Sequence, residues 1–176
     1  MVWEHRMLNL AGLVGDSIVD GPGIRMTVFG QGCPHRCKGC HNANTWSFEG
    51  GTRMEEQEVL RIIMSNPLAK GVTFSGGEPF AQAAGFARLA DLLKDNGYEV
   101  ASYSGYTFEE LYHGTKEQQD LLRRIDVLID GRYEEDKRSL TLVYRGSTNQ
   151  RIVDVKRSLE KGEVVEIKSG RWCGEY

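Results

Sequence analysis

Four short β-rich runs recur along the chain with helical stretches between them: RMTVFG at 25–30, GVTFS at 71–75, YEVASY at 98–103 and DVLID at 126–130. Between the first two, Thr52 and Glu55 stand in capping-box spacing ahead of MEEQEVLRIIM, whose Met54, Val59, Ile62 and Ile63 share one helical face, and Pro67 follows. After the second run, Phe86, Leu89, Leu92 and Leu93 repeat at helical spacing up to Asn96-Gly97. Thr107 and Glu110 form another capping box after the third, opening FEELYHG, and a further helical stretch runs through LLRRI. Alternation of this kind predicts a parallel sheet with helices packed outside it, because right-handed crossovers place each helix on the same side.

Length sets how far the pattern extends. A complete eight-fold barrel takes about 250 residues, and this chain has 176. The expected fold is therefore α/β, an open, partial (β/α) barrel of about five or six parallel strands with outer helices, in a single domain over residues 1–176. A last helix near 155–161 and a strand at 163–168 complete the expected pattern. Residues 131–149 show no periodicity, and a loop of that length in a compact domain usually has a function or is mobile.

Each unusual loop follows the carboxyl end of a predicted strand. Cysteines follow the first, GGEP the second, Ser104-Gly105-Tyr106 the third, and Asp130-Gly131 the fourth. Active sites of such folds are built on that rim.

Charge excludes one broad class of partner. Lys and Arg number 22 against 25 Asp and Glu, a formal charge of -3, and the basic residues are scattered, so no phosphate-tracking stripe for nucleic acid stands out. The amino terminus lacks the continuous apolar core of a signal peptide, and no run reaches membrane-spanning length. A cytoplasmic protein is expected, without nucleic-acid or membrane partners. Structural disulfides are rare in that compartment, so the four cysteines read as thiolates for metal.

Three of them lie in GCPHRCKGCHN, residues 32–42. Cys37, Cys40 and His41 match a covalent haem site, which leaves Cys33 idle and requires export. Cys37 and Cys40 match a redox dithiol, again without Cys33. Zinc would take Cys33, Cys37, Cys40 and His41, with two adjacent ligands bent back onto one ion. An iron-sulfur cubane on Cys33, Cys37 and Cys40 uses all three thiols and leaves a fourth iron without a local ligand. Cys173, in the carboxyl-terminal stretch, reads as an incidental thiol. Trp3, Trp46 and Trp172 read as packing residues, and His5 and His113 as solvent-facing.

Cys33-x-x-x-Cys37-x-x-Cys40 followed by Gly76-Gly77-Glu78-Pro79 resembles the radical S-adenosylmethionine enzymes. Within them, the stretch from Val19 to Arg25, together with His41-Asn42 and Thr45-Trp46, resembles the glycyl-radical-enzyme activases. The stretch from Arg145 to Arg151 and Ser104-Gly105-Tyr106-Thr107 resemble the type that serves the anaerobic ribonucleoside-triphosphate reductase. The cluster-flanking segment is as close to the type serving pyruvate formate-lyase.

The resemblance implies a [4Fe-4S] cluster on Cys33, Cys37 and Cys40 and S-adenosylmethionine on the open iron. Gly39, Cys40, His41, Gly76, Gly77, Glu78, Ser104 and Asp130 are the implied cofactor-binding residues. It further implies reductive cleavage of the sulfonium, hydrogen abstraction from a glycine of the large reductase subunit, and a flavodoxin or ferredoxin as electron donor. A non-catalytic zinc or electron-transfer module is the alternative of another class.

Overall fold

The computed structural model describes residues 7–175. Its centre is a seven-stranded sheet in the order β3-β1-β2-β4-β5-β6-β7. Strands β2 (Arg25–Gly30), β4 (Gly71–Gly76), β5 (Glu99–Ser104) and β6 (Val127–Asp130) run parallel. These are the four β-rich runs of the sequence. Their residues are buried almost throughout, as both faces of a parallel sheet require.

Side chains alternate between two cores, as the two-residue period of a strand dictates. On one face Val28, Val72, Phe74, Val100 and Leu128 meet the helices, and Phe74 packs against Phe86 with ring centroids 4.7 Å apart. On the other, Ala101, Val127, Ile129 and Ile152 gather around Trp172. Helix α1 (Glu56–Met64) packs on α2 (Ala83–Asp95), and α2 on α4 (Lys116–Leu122). Phe86, Leu89 and Leu93 of α2 are fully buried, and truncating Phe86 to Ala would cost about 3–5 kcal/mol. With helices packed on one face and its two edge strands not joined to each other, the sheet is open, as in a partial barrel.

Four parallel strands stand where five or six were expected, and antiparallel strands frame them. Strand β1 (Met7–Ser17) pairs antiparallel with β2 and carries two register shifts, while β7 (Arg151–Asp154) pairs antiparallel with β6. Neither shows a clear period in the sequence. Residues 163–168 do not form the expected strand; they contribute one bridge, Glu166 to Val153, and the Ile167 N–H donates to the Ile152 carbonyl at 2.8 Å.

Thr52 and Glu55 do not cap a helix. They begin and end β3 (Thr52–Glu55), which pairs with Met7 to Leu10 of β1, and α1 starts at Glu56 without a side-chain cap. Pairing to β1 outweighs a local cap worth about 1 kcal/mol. Thr107 does form the capping box with Glu110 ahead of α3 (Phe108–Tyr112). A second box, Thr115 with Gln118, not among the expected caps, opens α4, the further helical stretch expected after FEELYHG. Helix α5 (Val155–Lys161) lies where the sequence placed it.

His113 is exposed and Trp172 buried, as expected; Trp3 and His5 lie outside the described residues. No described helix is long and apolar enough to cross a membrane.

Candidate metal and cofactor site

The cysteine loop leaves the end of β2 and is tied at its root. Gly32 N–H donates to the Thr45 carbonyl at 2.6 Å, Cys33 N–H to the Trp46 carbonyl at 3.0 Å, and the Gln31 amide to the Ser47 carbonyl at 2.7 Å. Inside it, Cys40 N–H donates to the Cys37 carbonyl at 3.1 Å in a turn where Gly39 has φ +77°. The loop thus closes on itself and presents Cys33, Cys37 and Cys40 as free, half-buried thiols. All three line one cavity of about 220 Å³, together with His41, Gly76, Gly77, Glu78 and Ser104.

Burial pushes the Cys33 and Cys37 thiols up. At Cys33 a backbone hydrogen bond from His35 opposes this and the charge of Glu78 adds to it; at Cys37 a bond from Tyr133 opposes and Cys40 adds. Ligation requires the thiolate, so bound iron would supply the positive charge these sites lack. Asn42 N–H already donates to Cys40 Sγ at 3.4 Å. Among the described residues no three His, Cys, Asp or Glu converge on a single ion. The thiols surround a shared space, and a cubane asks for that because each thiolate takes its own iron.

The second loop follows β4. Gly77 N–H donates to the Gly30 carbonyl and Glu78 N–H to the Gly32 carbonyl, both at 2.8 Å, so the two loops are joined at their roots. A Cβ at Gly76, where φ is +89°, would lie 2.7 Å from Gly30 O, and one at Gly77 would lie 2.3 Å from Gly32 O. Glycine is required at both positions because the neighbouring atoms are backbone and cannot yield.

Glu78 is 1% exposed, and its carboxylate is surrounded by donors. Oε1 accepts from Gly105 N–H at 2.7 Å and Oε2 from Phe80 N–H at 3.0 Å, while Ser104 Oγ lies within 3.0 Å of both oxygens. Ser104 and Glu78 therefore act as a unit. His41 lines the cavity and meets the edge of Tyr133 at 5.5 Å between centroids.

Gly39 and Asp130 are not among the cavity-lining residues. The space beside Gly39 is filled by the Glu135 side chain. Asp130, also 1% exposed, accepts from Phe108 N–H at 2.8 Å and pairs with Arg151, which also pairs with Glu109. Its carboxylate is committed to the start of α3. Cys173 lies away from the other thiols, with its Sγ near the Ile167 carbonyl.

Two lining residues, His35 and Tyr133, carry no sequence signal of their own. Gly131, Gly146 and Gln150, from stretches the sequence did mark, border the cavity beside them. The Gln150 side chain accepts from Gly146 N–H at 2.8 Å and donates to the Gly131 carbonyl at 3.0 Å, closing residues 131–149 over the site. Periodicity cannot reveal such a loop, because its order comes from single side-chain clasps.

Comparison with known proteins follows the same lines. The family described as 4Fe-4S single cluster domain matches residues 19–153. The anaerobic ribonucleoside-triphosphate reductase-activating protein of Pasteurella multocida is 38% identical over 142 residues, covering 76% of this chain and 89% of that one. Its counterparts in Vibrio cholerae and Escherichia coli are 36% and 32% identical, each over 141 residues.

Proposed function

Because this chain belongs to the family of anaerobic ribonucleoside-triphosphate reductase-activating proteins, we propose that it is a radical S-adenosylmethionine activase that installs a glycyl radical on the large subunit of that reductase. One observation carries the reading: three free thiols on one loop share a cavity with a Gly-Gly-Glu loop that is hydrogen-bonded to their root. When bound on these thiols, a [4Fe-4S] cluster would supply the one-electron reduction of S-adenosylmethionine on which hydrogen abstraction from a glycine Cα depends.

The chain's own residues hold and shield. Cys33, Cys37 and Cys40 hold the cluster, and their being three leaves one iron for the cofactor. Gly76 and Gly77 bring backbone to the cavity wall, Ser104 and Glu78 fix the rim next to it, and His41 closes the side toward Tyr133. Gly39 shapes the turn before the last thiol. Asp130 contributes through the chain it anchors, since the adjacent Gly131 lines the cavity. The loop at 131–149 excludes water from above, as radical chemistry demands.

An open sheet suits a protein substrate, since a glycine loop of a partner must enter from outside. A flavodoxin or ferredoxin in the cytoplasm is the proposed source of electrons.

The test is electron paramagnetic resonance of anaerobically reconstituted protein mixed with S-adenosylmethionine, a reductant and the large reductase subunit, with 5'-deoxyadenosine assayed in the same tube. A glycyl radical doublet with deoxyadenosine supports the proposal. Deoxyadenosine without the doublet keeps the chemistry and removes this partner in favour of another glycyl radical enzyme such as pyruvate formate-lyase; a colourless, zinc-bearing protein with neither product overturns both.

A further inference from the structure

His35 sits between Cys33 and Cys37, yet its side chain is turned away from solvent, with 4% exposed. Its Nε2 lies 2.6 Å from Glu78 Oε1, across 43 residues of sequence. Arg132 Nε lies 3.2 Å from the other ring nitrogen. An arginine nitrogen only donates, so Nδ1 accepts and Nε2 carries the hydrogen given to Glu78. Space for the ring is kept on purpose: a Cβ at Gly105 would lie 2.4 Å from His35 Cδ2. The Tyr106 ring packs edge-on against the imidazole at 4.6 Å.

These contacts account for a motif left unexplained by the sequence. In Ser104-Gly105-Tyr106-Thr107, Ser104 and the Gly105 N–H hold Glu78, Gly105 makes room for His35, Tyr106 packs on it, and Thr107 caps α3. Three loops and residue 132 of the covering segment therefore meet at one imidazole–carboxylate contact.

We propose that His35 is a positioning residue for S-adenosylmethionine: through Glu78 it locks the cofactor loop to the cysteine loop, so that cofactor affinity depends on an imidazole that ligates no iron. The inference rests on the radical S-adenosylmethionine reading. Without the Nε2 hydrogen bond, Glu78 keeps its backbone donors and the bond from its own N–H to the Gly32 carbonyl, but its carboxylate loses the side-chain tie to the cysteine loop. Supports of this kind around ligated sites typically change affinity by about tenfold or more when removed.

The experiment compares wild type, H35A, H35Q and G105A. Each is reconstituted anaerobically, its iron and sulfide are counted, and S-adenosylmethionine is titrated by calorimetry and by the change in the reduced cluster's resonance spectrum. Expected are full cluster loading in all four, binding weakened about tenfold in H35A and G105A, and recovery in H35Q, whose amide N–H can reach Glu78. Hydrogen exchange in the cluster-free protein gives a readout independent of the cofactor. Gly105 and Phe80 N–H, both held by Glu78, should exchange faster in H35A.

Wild-type affinity in H35A or G105A overturns the inference. So does equal weakening in H35A and H35Q, which would make ring volume the cause, and so does failure of H35A to take up iron, which would make His35 a residue of the cysteine loop's own fold. A wild-type protein that loads a cluster yet binds no S-adenosylmethionine overturns the underlying reading, and this inference with it.

Discussion

The two ends of the parallel strands use similar residues for opposite purposes. At the carboxyl ends of β2, β4 and β5 lie Cys33, Glu78 and Ser104, bordering a cavity. About 20 Å away at six residues of strand, the amino ends of the same strands carry Arg25, Gly71 and Glu99, aligned across the sheet. There Arg25, 1% exposed, donates to Thr73 Oγ1 and Glu99 Oε1 at 2.9 Å each, lies 5.2 Å over the Trp172 ring, and shares Glu99 with Arg171. A Cβ at Gly71 would strike the guanidinium at 2.4 Å. One end closes around its charges and is filled; the other keeps thiols and backbone facing open space. What separates a site from a plug in this fold is spare bonding capacity, not polarity.

The thiols give the sharpest break between the ends. Cys33→Ala, Cys37→Ala and Cys40→Ala should each abolish stable cluster uptake and cofactor cleavage, while Cys173→Ala, on the filled side beside Trp172, should leave both at wild-type levels. Iron and sulfide counts with a deoxyadenosine assay decide it. An equally dead Cys173→Ala would mean that the filled end reaches the chemistry, and the contrast would collapse.

Next in size is the plug itself. Arg25→Met leaves Thr73 and part of Glu99 without their donor, at a cost of about 3 kcal/mol, the low end for breaking a buried pair because Glu99 keeps Arg171. A chain of this length should lose roughly 6–12 °C in Tm. The cysteine variants, read without cluster, should melt within about 2 °C of wild type, since half-exposed thiols contribute little to packing. Calorimetric scans of both sets in the cluster-free protein test this. A cysteine variant that melts as low as Arg25→Met would show that the thiol loop also supports the fold.

Gly76→Ala probes the seam between loop and strand. Its φ of +89° and a Cβ 2.7 Å from Gly30 O predict about 2 kcal/mol of destabilisation. Binding of S-adenosylmethionine should fall with it, because the displaced backbone lines the cavity. Gly97→Ala, at φ +84° with nothing within 4 Å, is the control for left-handed strain alone. It should cost about 1 kcal/mol and leave cofactor binding intact.

The sequence displayed the open end far better than the closed one. Cys33, Cys37, Cys40 and the Gly-Gly-Glu loop are local motifs whose spacing is set by chemistry, and the four central strands are apolar runs that any parallel sheet buries on both faces. By contrast β1 mixes Leu8 and Leu10 with Gly12 and Gly15 and shifts register twice, so its period is blurred. Thr52 and Glu55 satisfy a helix rule and a strand equally, and only the presence of β1 decides between them. His35 was hidden because its partner is 43 residues away. Arg25 looked like a motif residue beside the site and proved to be the centre of the opposite end. Asp130, read as a rim residue from its place after a strand, spends its carboxylate on Phe108 and Arg151.

The smallest expected effect separates the ends by acid. Burial works against the Glu99 carboxylate, but hydrogen bonds and charge from Arg25 and Arg171 outweigh it and hold the group below its usual 4.5. The folded chain therefore binds this proton less readily than the unfolded one. Stability from the pair is complete above about pH 4.5 and is lost as pH falls through the lower folded value. Removing the charge with Glu99→Gln should lower Tm at pH 7 and flatten the part of the acid dependence that Glu99 supplies, so that variant and wild type draw together as pH falls through the lowered folded value. Melting the cluster-free proteins side by side at several pH values isolates the difference from the other carboxylates, Glu109 among them, which Arg151 also holds low. Parallel curves would mean that the plug is held by Trp172 and shape alone, with the charge at Glu99 contributing nothing to the closed end.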